Sequence, residues 1–428
     1  MTTYLTPLIS SRHGRGLARS TRVVLLAGSV LAASACDVTN PGQILDENLN
    51  NVAALPILVT GMAGDFQLAL RDIGWNNAVL TGDLSGTSAY LSRQRHWAGH
   101  PEPEDADEYN SIYRARWVAE NGIERMRTVL GSAFDTSPLV AQAYMWAGFS
   151  DRLLGETMCQ AVIDGGPALP RMEYFQRAES AFTNAIRVAE AAGAAAAATR
   201  LASYGGRASV RLIQGNWAGA VSDAGTVPTT FEFASKFSPT SLREQNQIFG
   251  ENRVRVNLSA KYTWFDAYSL TVADPRVVIG VDPRLTVSAD GVSPHRIQQK
   301  FNDLGADIVL TRGAEMRLIE AENEIVNGDW QLGLTKLNAV RTAAGVPART
   351  AASKEEALVA LKAERAVVLW LEARRGGDLL RWGGDPTKDA VLVAMTAAAP
   401  GGLPLAGRSI CMPFSQTLLS TNPNLQGQ

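Results

Sequence analysis

The chain is poor in the residues that most chemistry requires. Three cysteines and four histidines are spread over 428 residues. His13 lies among the first arginines, and His96, His100 and His295 are scattered. No zinc-ligand spacing and no His-Glu-x-x-His occurs, so no metal centre is expected from the histidines. There is no glycine-rich phosphate loop after a strand and no Gly-x-Ser-x-Gly, which removes the commonest nucleotide-binding and serine-hydrolase signatures. Net charge is also scarce, a formal -2. The segment up to Cys36 holds four arginines and no acid, so the rest is more acidic still. That argues against a nucleic-acid partner, which would need a basic face.

What is present is a globular composition, 46% hydrophobic and 19% charged. A chain of this length can bury a large core. Its opening reads as a targeting signal: Arg12, Arg15, Arg19 and Arg22, then the apolar run from Val23 to Ala33. The run is about half the length of a membrane span, and no later run is expected to approach about 18 residues. Ala33-Ser34-Ala35-Cys36 has the form of a bacterial lipobox, with cleavage before Cys36 and lipid attached to it. The alternative is an ordinary secretory signal cut near Ala35. Beyond Cys36 only Cys159 and Cys411 remain. An exported protein can hold a disulfide. Their distance in sequence makes two buried free thiols the expectation.

Helical periodicity dominates. Tyr109, Tyr113, Trp117 and Asn121 recur at spacings of four and predict a core-facing stripe. Leu139 to Leu154 and Met172 to Ala191 predict two further helices. Leu201 to Ile213 and Ala218 to Ala224 predict a hairpin about Gly215-Asn216-Trp217. LIQGNWAGAV at 212–221 is echoed by IVNGDWQLGL at 325–334. With the small-residue pattern upstream, this predicts tetratricopeptide-like helix pairs. In the second hairpin Leu318, Ala321, Glu322 and Ile325 make one stripe, and Trp330, Leu334, Leu337 and Arg341 resume it after Gly328-Asp329. Ser353 with Glu356 forms a capping box for one long helix carrying Leu358, Leu361, Val368 and Leu371. Between about 229 and 310 the texture is loop-rich, with turn-forming Asp274-Pro275-Arg276 and Asp282-Pro283-Arg284. Short strands are expected at Arg253 to Asn257, Val281 to Val287 and Arg296 to Lys300.

The stretch from Arg312 to Gly383 resembles the SusD/RagB family of lipid-anchored nutrient-binding proteins. Arg317, Glu320, Ala321, Glu322, Gly328, Asp329, Asn338, Arg341, Gly345 and Pro347 match its first helical hairpin. Glu364, Arg365, Glu372, Arg375, Asp378, Leu379, Arg381 and Trp382 match its next helix. Val368, Leu371 and Ala373 stand where Glu, Phe and Gly are usual. Both ends agree: DVTNPGQ comes after Cys36, and NPNLQGQ closes the chain, although Leu418 stands near an expected Glu. The resemblance implies a mostly α fold. Its domains would be a signal over 1–35 and a binding domain over 36–428, with helical scaffold at about 105–228 and 311–382 and a ligand-side insertion at about 229–310. It also implies no catalysis, no cofactor, an outer-membrane location through a lipid on Cys36, and a SusC-type TonB-dependent transporter as partner.

The family motifs do not carry the ligand residues, so the site must be read from the loops. Trp75, Asn76, Asn77, Asp83, Tyr90, Arg93 and Trp97 lie in what reads as one irregular segment. Tyr262, Trp264 and Tyr268, with Asn257 and Lys261, form a second group. Such mixtures suit a sugar, whose C–H face stacks on an aromatic ring and whose hydroxyls pair with polar side chains. Packing beneath the loops is the competing explanation; a peptide would suit the same residues, and a lipoprotein scaffold that holds other proteins without a small ligand is the further alternative. Trp117, Trp146, Trp217, Trp330, Trp370 and Trp382 lie on helical stripes or hairpin turns and are assigned to the core. The acids from Glu102 to Glu108 lack a calcium-loop order and read as a solvated turn. Glu372, Arg375, Asp378 and Arg381, three apart, suit a ladder of ion pairs.

Overall fold

The computed structural model describes residues 46–382 and 407–427. Cys36 and the signal lie outside the described residues. The turn of 3-10 helix Asp46–Leu49 belongs to an amino-terminal unit, and the remaining elements form the unit from Asn50 onward. Helices α1 (Leu55–Leu80), α2 (Leu91–Ala98), α3 (Asn110–Leu130), α4 (Pro138–Thr157) and α5 (Met172–Ala192) come first. Then come α6 (Ala197–Ile213), α7 (Trp217–Thr226), α8 (Trp264–Thr271), α9 (Gly313–Asn327) and α10 (Trp330–Ala343). The last are α11 (Lys354–Val368), α12 (Arg375–Arg381) and α13 (Gln416–Thr421). Strands are short: β1 (Ser85–Gly86), β2 (Gln160–Ala161), β3 (Leu169–Pro170), β4 (Glu232–Ser235), β5 (Leu258–Ser259), β6 (Ile279–Gly280), β7 (Ile297–Gln298) and β8 (Ile308–Arg312). The fold is mostly α, a stack of helix pairs with a loop-rich insertion holding small two-stranded ribbons.

Neighbouring helices pack in sequence from α3 through α7, and α7 then packs on α9. Close approach depends on small residues. A Cβ at Gly148 of α4 or at Gly206 of α6 would lie 2.8 Å and 2.4 Å from the Phe182 ring. Phe182 of α5 therefore nests against both helices and meets Phe149 edge-on at 5.1 Å. The two hairpins echo each other structurally as well. Asn216 and Asp329 each accept backbone N–H bonds at the start of the following helix, as N-caps do. β4 pairs antiparallel with β8, Ser235 opposite Ile308, so the insertion leaves and re-enters the scaffold at one place.

Several expectations are corrected. Residues 37–60 read as an extended tether leading into the first helix, but Leu55 to Thr60 already belong to the apolar helix α1. It is long and apolar enough to cross a membrane by length and composition, but it is a core helix, with Met62, Phe66, Leu70 and Ile73 buried. The stripe at spacings of four fails along α3. Each such step turns the side chain about 40° further round the helix, so Tyr109 is buried while Trp117 is 54% exposed. The buried face is Ile112, Ala115, Ala119, Ile123 and Met126. Arg253 to Asn257 is not a strand, because Gly250–Val254 forms a π-helical turn. Only the ribbon Ile279–Gly280 with Ile297–Gln298 and a bridge from Val287 to Pro294 represent the other two.

The single long helix after Ser353 is broken. α11 stops at Val368, and Leu371 (φ 60°) and Ala373 (φ 57°) turn the chain into α12. The left-handed φ at Ala373 is the reason glycine suits that position. Of the expected ladder, the rung between Asp378 and Arg381 is local, and the acids also reach distant segments. Asp378 accepts two bonds from Arg365 at 2.8 and 2.9 Å and one from Arg381 at 2.9 Å. Arg381 in turn grips Glu322, and Arg374 bridges Glu156 and Glu315. Burial pushes the Glu315 carboxyl up, but Arg374 and Arg365 outweigh it and hold it below the usual range. Glu372 faces Lys300 at 2.7 Å and Arg312, on the other side of the molecule's insertion boundary. Glu364 is shared by Arg276 and Arg341 at 2.6 and 2.5 Å.

Cys159 and Cys411 are not free thiols: they form a disulfide, with Cα atoms 5.0 Å apart. The carboxy-terminal segment runs beside the end of α4, where Cys159 N–H donates to Met412 O and Met412 N–H to Thr157 O. Sequence separation is no obstacle once that pairing exists. A bridge closing so long a loop restricts the unfolded chain, so Cys159→Ser with Cys411→Ser should lower unfolding free energy by about 2–5 kcal/mol in urea. An unchanged midpoint would show the bond to be dispensable. At Ala373, relief of the left-handed backbone (about 1–2 kcal/mol) is offset by a lost buried methyl (about 0.8) and a freer unfolded chain (about 0.5–1). Ala373→Gly should thus move stability by less than about 1 kcal/mol, whereas the β-branched Ala373→Val should cost about 2–4. Equal effects of the two substitutions in denaturant melts would contradict this account.

Candidate functional site

The two aromatic groups come together because their segments are zipped. β1 pairs antiparallel with β5, Ser85 opposite Ser259 and Gly86 opposite Leu258. Ser85 Oγ donates to Ser259 O at 2.9 Å, and Ser88 Oγ to Asn257 Oδ1 at 3.0 Å. A Cβ on Gly86 would stand 2.5 Å from the Arg93 carbonyl oxygen, so this strand lies directly against α2. The result is a stacked pair: Trp97 of α2 and Tyr262 of the insertion have centroids 6.1 Å apart and planes 20° apart. Tyr262 holds a left-handed φ of 65°, a conformation uncommon for a residue with a side chain. Lys261 Nζ lies 5.8 Å from its centroid.

Arg93 and Tyr90 extend this surface. The Arg93 guanidinium lies 4.4 Å from the Trp75 centroid and 5.0 Å from that of Tyr90, a geometry of cation–π attraction. It is also 3.6 Å from the buried carboxylate of Glu251, which accepts from Asn257 at 2.9 Å. Tyr90 is 60% exposed. The accessible surface therefore combines Tyr90, Arg93, Trp97, Lys261 and Tyr262.

The other residues singled out in sequence lie beneath it. Trp75 and Asn77 are not in an irregular segment. They occupy the last turns of α1 and are buried. Asn77 accepts the Thr81 N–H and hydroxyl through its backbone oxygen, as part of the helix end. Trp264 is on α8, stacked on Tyr268 at 4.8 Å, and Tyr268 donates to Asp274 at 2.8 Å. A hollow of about 330 Å³ lined by Ser269, Val272, Asp274, Pro275, Val277 and Ile279 opens along that helix. Asp83 is buried, accepts the Leu371 N–H at 3.0 Å, and offers its backbone oxygen to Trp370 Nε1 at 3.2 Å. The acidic turn is no free ligand set. Asp105 accepts from Arg95 and from the Glu102 N–H, Glu108 from Asn76, and Asp107 from the Thr417 N–H.

Two buried groups below the surface have displaced titrations. Burial pushes the Asp83 carboxyl up to about 7, against the opposing pull of Arg375, the Leu371 N–H and Lys300. Burial lowers His96 to about 4, so its ring is neutral at physiological pH. Between about pH 4 and 7 folded Asp83 keeps a proton that the unfolded chain has released. Its contribution to stability therefore falls as pH rises to 7 and is level above that. Asp83→Asn keeps an acceptor for Leu371 and lacks the titration. The variant should gain roughly 2–3 kcal/mol on the native protein between pH 4.5 and 8. Urea unfolding of both proteins at the two pH values reads this, and a difference independent of pH would refute it.

The SusD family model matches residues 287–425. No curated protein matches the chain. Among solved structures, a SusD superfamily protein from Bacteroides fragilis is similar with a TM-score of 0.63 and 14% identity, covering 88% of this chain and 99% of its own. A SusD-like carbohydrate-binding protein from Bacteroides vulgatus gives 0.60 and 15%, covering 77% and 83%. A laminarin-binding SusD-like protein gives 0.59 and 14%, covering 85% and 97%. At such identities the structural likeness speaks for the fold, and the matched segment carries the signature residues from Arg317 to Trp382. Over residues 287–425 the chain thus matches the SusD family, and its fold is that of SusD-like proteins.

Proposed function

We infer that this protein captures an oligomeric glycan on the surface formed by Tyr90, Arg93, Trp97, Lys261 and Tyr262. The observation that carries the reading is the Trp97–Tyr262 stack, which joins two distant segments into one aromatic edge with cations beside it. Stacking takes the C–H face of a sugar ring, and the guanidinium and ammonium groups donate to its hydroxyls. Nothing in this arrangement supplies a nucleophile with its base, so binding without turnover is the chemistry proposed. The lipobox-like run before Cys36 and the SusD family match over residues 287–425 extend the reading. Attached by lipid to the outer membrane, the protein would hold its glycan beside a SusC-type TonB-dependent transporter and pass it on. Anchoring raises the local concentration of a weakly held ligand at the pore.

Affinity electrophoresis in gels containing laminarin, starch, xylan or mannan, with casein peptides as competitors, tests this. At least one glycan should retard the native protein. Trp97→Ala and Tyr262→Ala should each weaken retention about 3–10-fold, the usual worth of one stacking contact. Retardation by none of the glycans together with capture of peptides would replace the glycan reading with a peptide-binding one.

A further inference from the structure

The drift of the four-residue spacing carries Trp117 off the core face of α3. Trp117 stands in a hollow of about 320 Å³, lined with Tyr113, Arg114, Val162, Asp164 and Leu418. That is near the lower end of the range for small-ligand pockets. The walls are fixed. The Tyr174 hydroxyl accepts the Val162 N–H at 3.0 Å and donates to its carbonyl at 3.1 Å. Asp164, in a left-handed conformation, is paired with buried Arg116. Asn422 and Asn424 donate to the carbonyls of Gly166 and Gly165 at 2.9 and 2.8 Å. The disulfide joins Cys159, three residues before Val162, to Cys411, seven before Leu418, and so ties the two walls together. An isolated exposed tryptophan is unremarkable on a protein surface. One placed in a hollow with immobilised walls is a preformed binding surface.

We propose that this hollow is a second ligand subsite, separate from the Trp97–Tyr262 surface, that takes one sugar ring of a glycan. It rests on the glycan-binding reading for its ligand class. The lining selects such a ring. The Trp117 face, with Val162 and Leu418, matches a C–H face. At the rim stand Arg114, a donor whose side chain is 62% exposed, and Asp164, an acceptor that is 56% exposed. A purely apolar side chain would leave that charged rim unmatched. A polyhydroxylated ring satisfies both kinds of surface. The two surfaces share no residue, so a long glycan that reaches both would gain by multivalency, and a short one would occupy either.

Fluorine NMR of the full chain carrying 5-fluorotryptophan tests this directly. The Trp117 and Trp97 signals are assigned with Trp117→Phe and Trp97→Phe. The probes are D-glucose, D-galactose, D-mannose and D-xylose, with the dipeptide Gly-Pro as the peptide control. The proposal expects the Trp117 signal to shift saturably with at least one sugar and not with Gly-Pro. The shift should persist in Trp97→Ala, and Arg114→Ala should weaken the sugar about 3–10-fold. A Trp97 response with a silent Trp117 would overturn the second subsite and leave the main surface standing. A Trp117 response to Gly-Pro as strong as to any sugar would overturn the ligand class. Silence of both signals to every sugar would overturn this subsite, and the electrophoresis with polymers would then judge the main surface by itself.

Discussion

The structure depends on a set of charges that cannot be left unpaired. Arg152, Arg365, Arg374 and Arg381 meet Glu156, Glu315, Glu322 and Asp378 in the interior, four cations against four anions. Removing one partner from such a pair strands a buried charge, at about 3–5 kcal/mol. Each arginine therefore admits only helix positions that bring its acid within reach. Arg374 demands α4 on one side and α9 on the other, since Glu156 and Glu315 both contact it. Arg381 demands α9 again, about two turns further on, through Glu322. Hydrophobic packing supplies most of the driving force for collapse, but it tolerates helices sliding along one another. This network sets the register.

The same stretch also positions both halves of the aromatic surface. Leu371 N–H and Trp370 Nε1 hold Asp83, at the start of the segment that leads from α1 to Tyr90 and Trp97. Lys300 donates to the Trp370 carbonyl and to Glu372, and Arg276 reaches Glu364, so the insertion that carries Tyr262 is tied to the same place. Two excursions that are far apart in sequence thus take their positions from one short run, Glu364 to Arg375. The left-handed residues in that run follow from the geometry: the chain must turn sharply enough to present Trp370, Leu371 and Glu372 to different neighbours.

That division explains what could be read from the sequence. Glu322, Arg365, Asp378, Arg381 and Trp382 were legible through the resemblance to the SusD/RagB family, and in the structure they join the buried charge network. The helix pairs were legible from periodicity and from the Asn216 and Asp329 caps. The break after Val368 was not, since Leu371 and Ala373 carry no local signal for a positive φ. The disulfide was not, because its pairing arises from a strand-like contact between segments 252 residues apart. For the site, the residue types were legible and the depth was not. Trp75, Asn77 and Asp83 have the same composition as a binding loop, but α1 continues through Leu80 and carries the first two inward. Trp117 erred the other way, and the drift of a four-residue spacing was the signal that could have corrected it.

The aromatic surface is also set before any ligand arrives. Tyr262 is held by its stack on Trp97, Trp97 by the strand beneath it, and Arg93 by its place between Trp75 and Tyr90. Flexible side chains would lose about 0.5–1.5 kcal/mol each on being ordered by a ligand. One stacking contact contributes a similar amount. On a mobile surface the two would cancel, and capture would need many contacts. On a fixed one a single ring pair gives a net gain. The rigid charge network and the sparse aromatic edge are therefore two parts of one solution: a scaffold held tightly by its interior can bind with few rings at its rim.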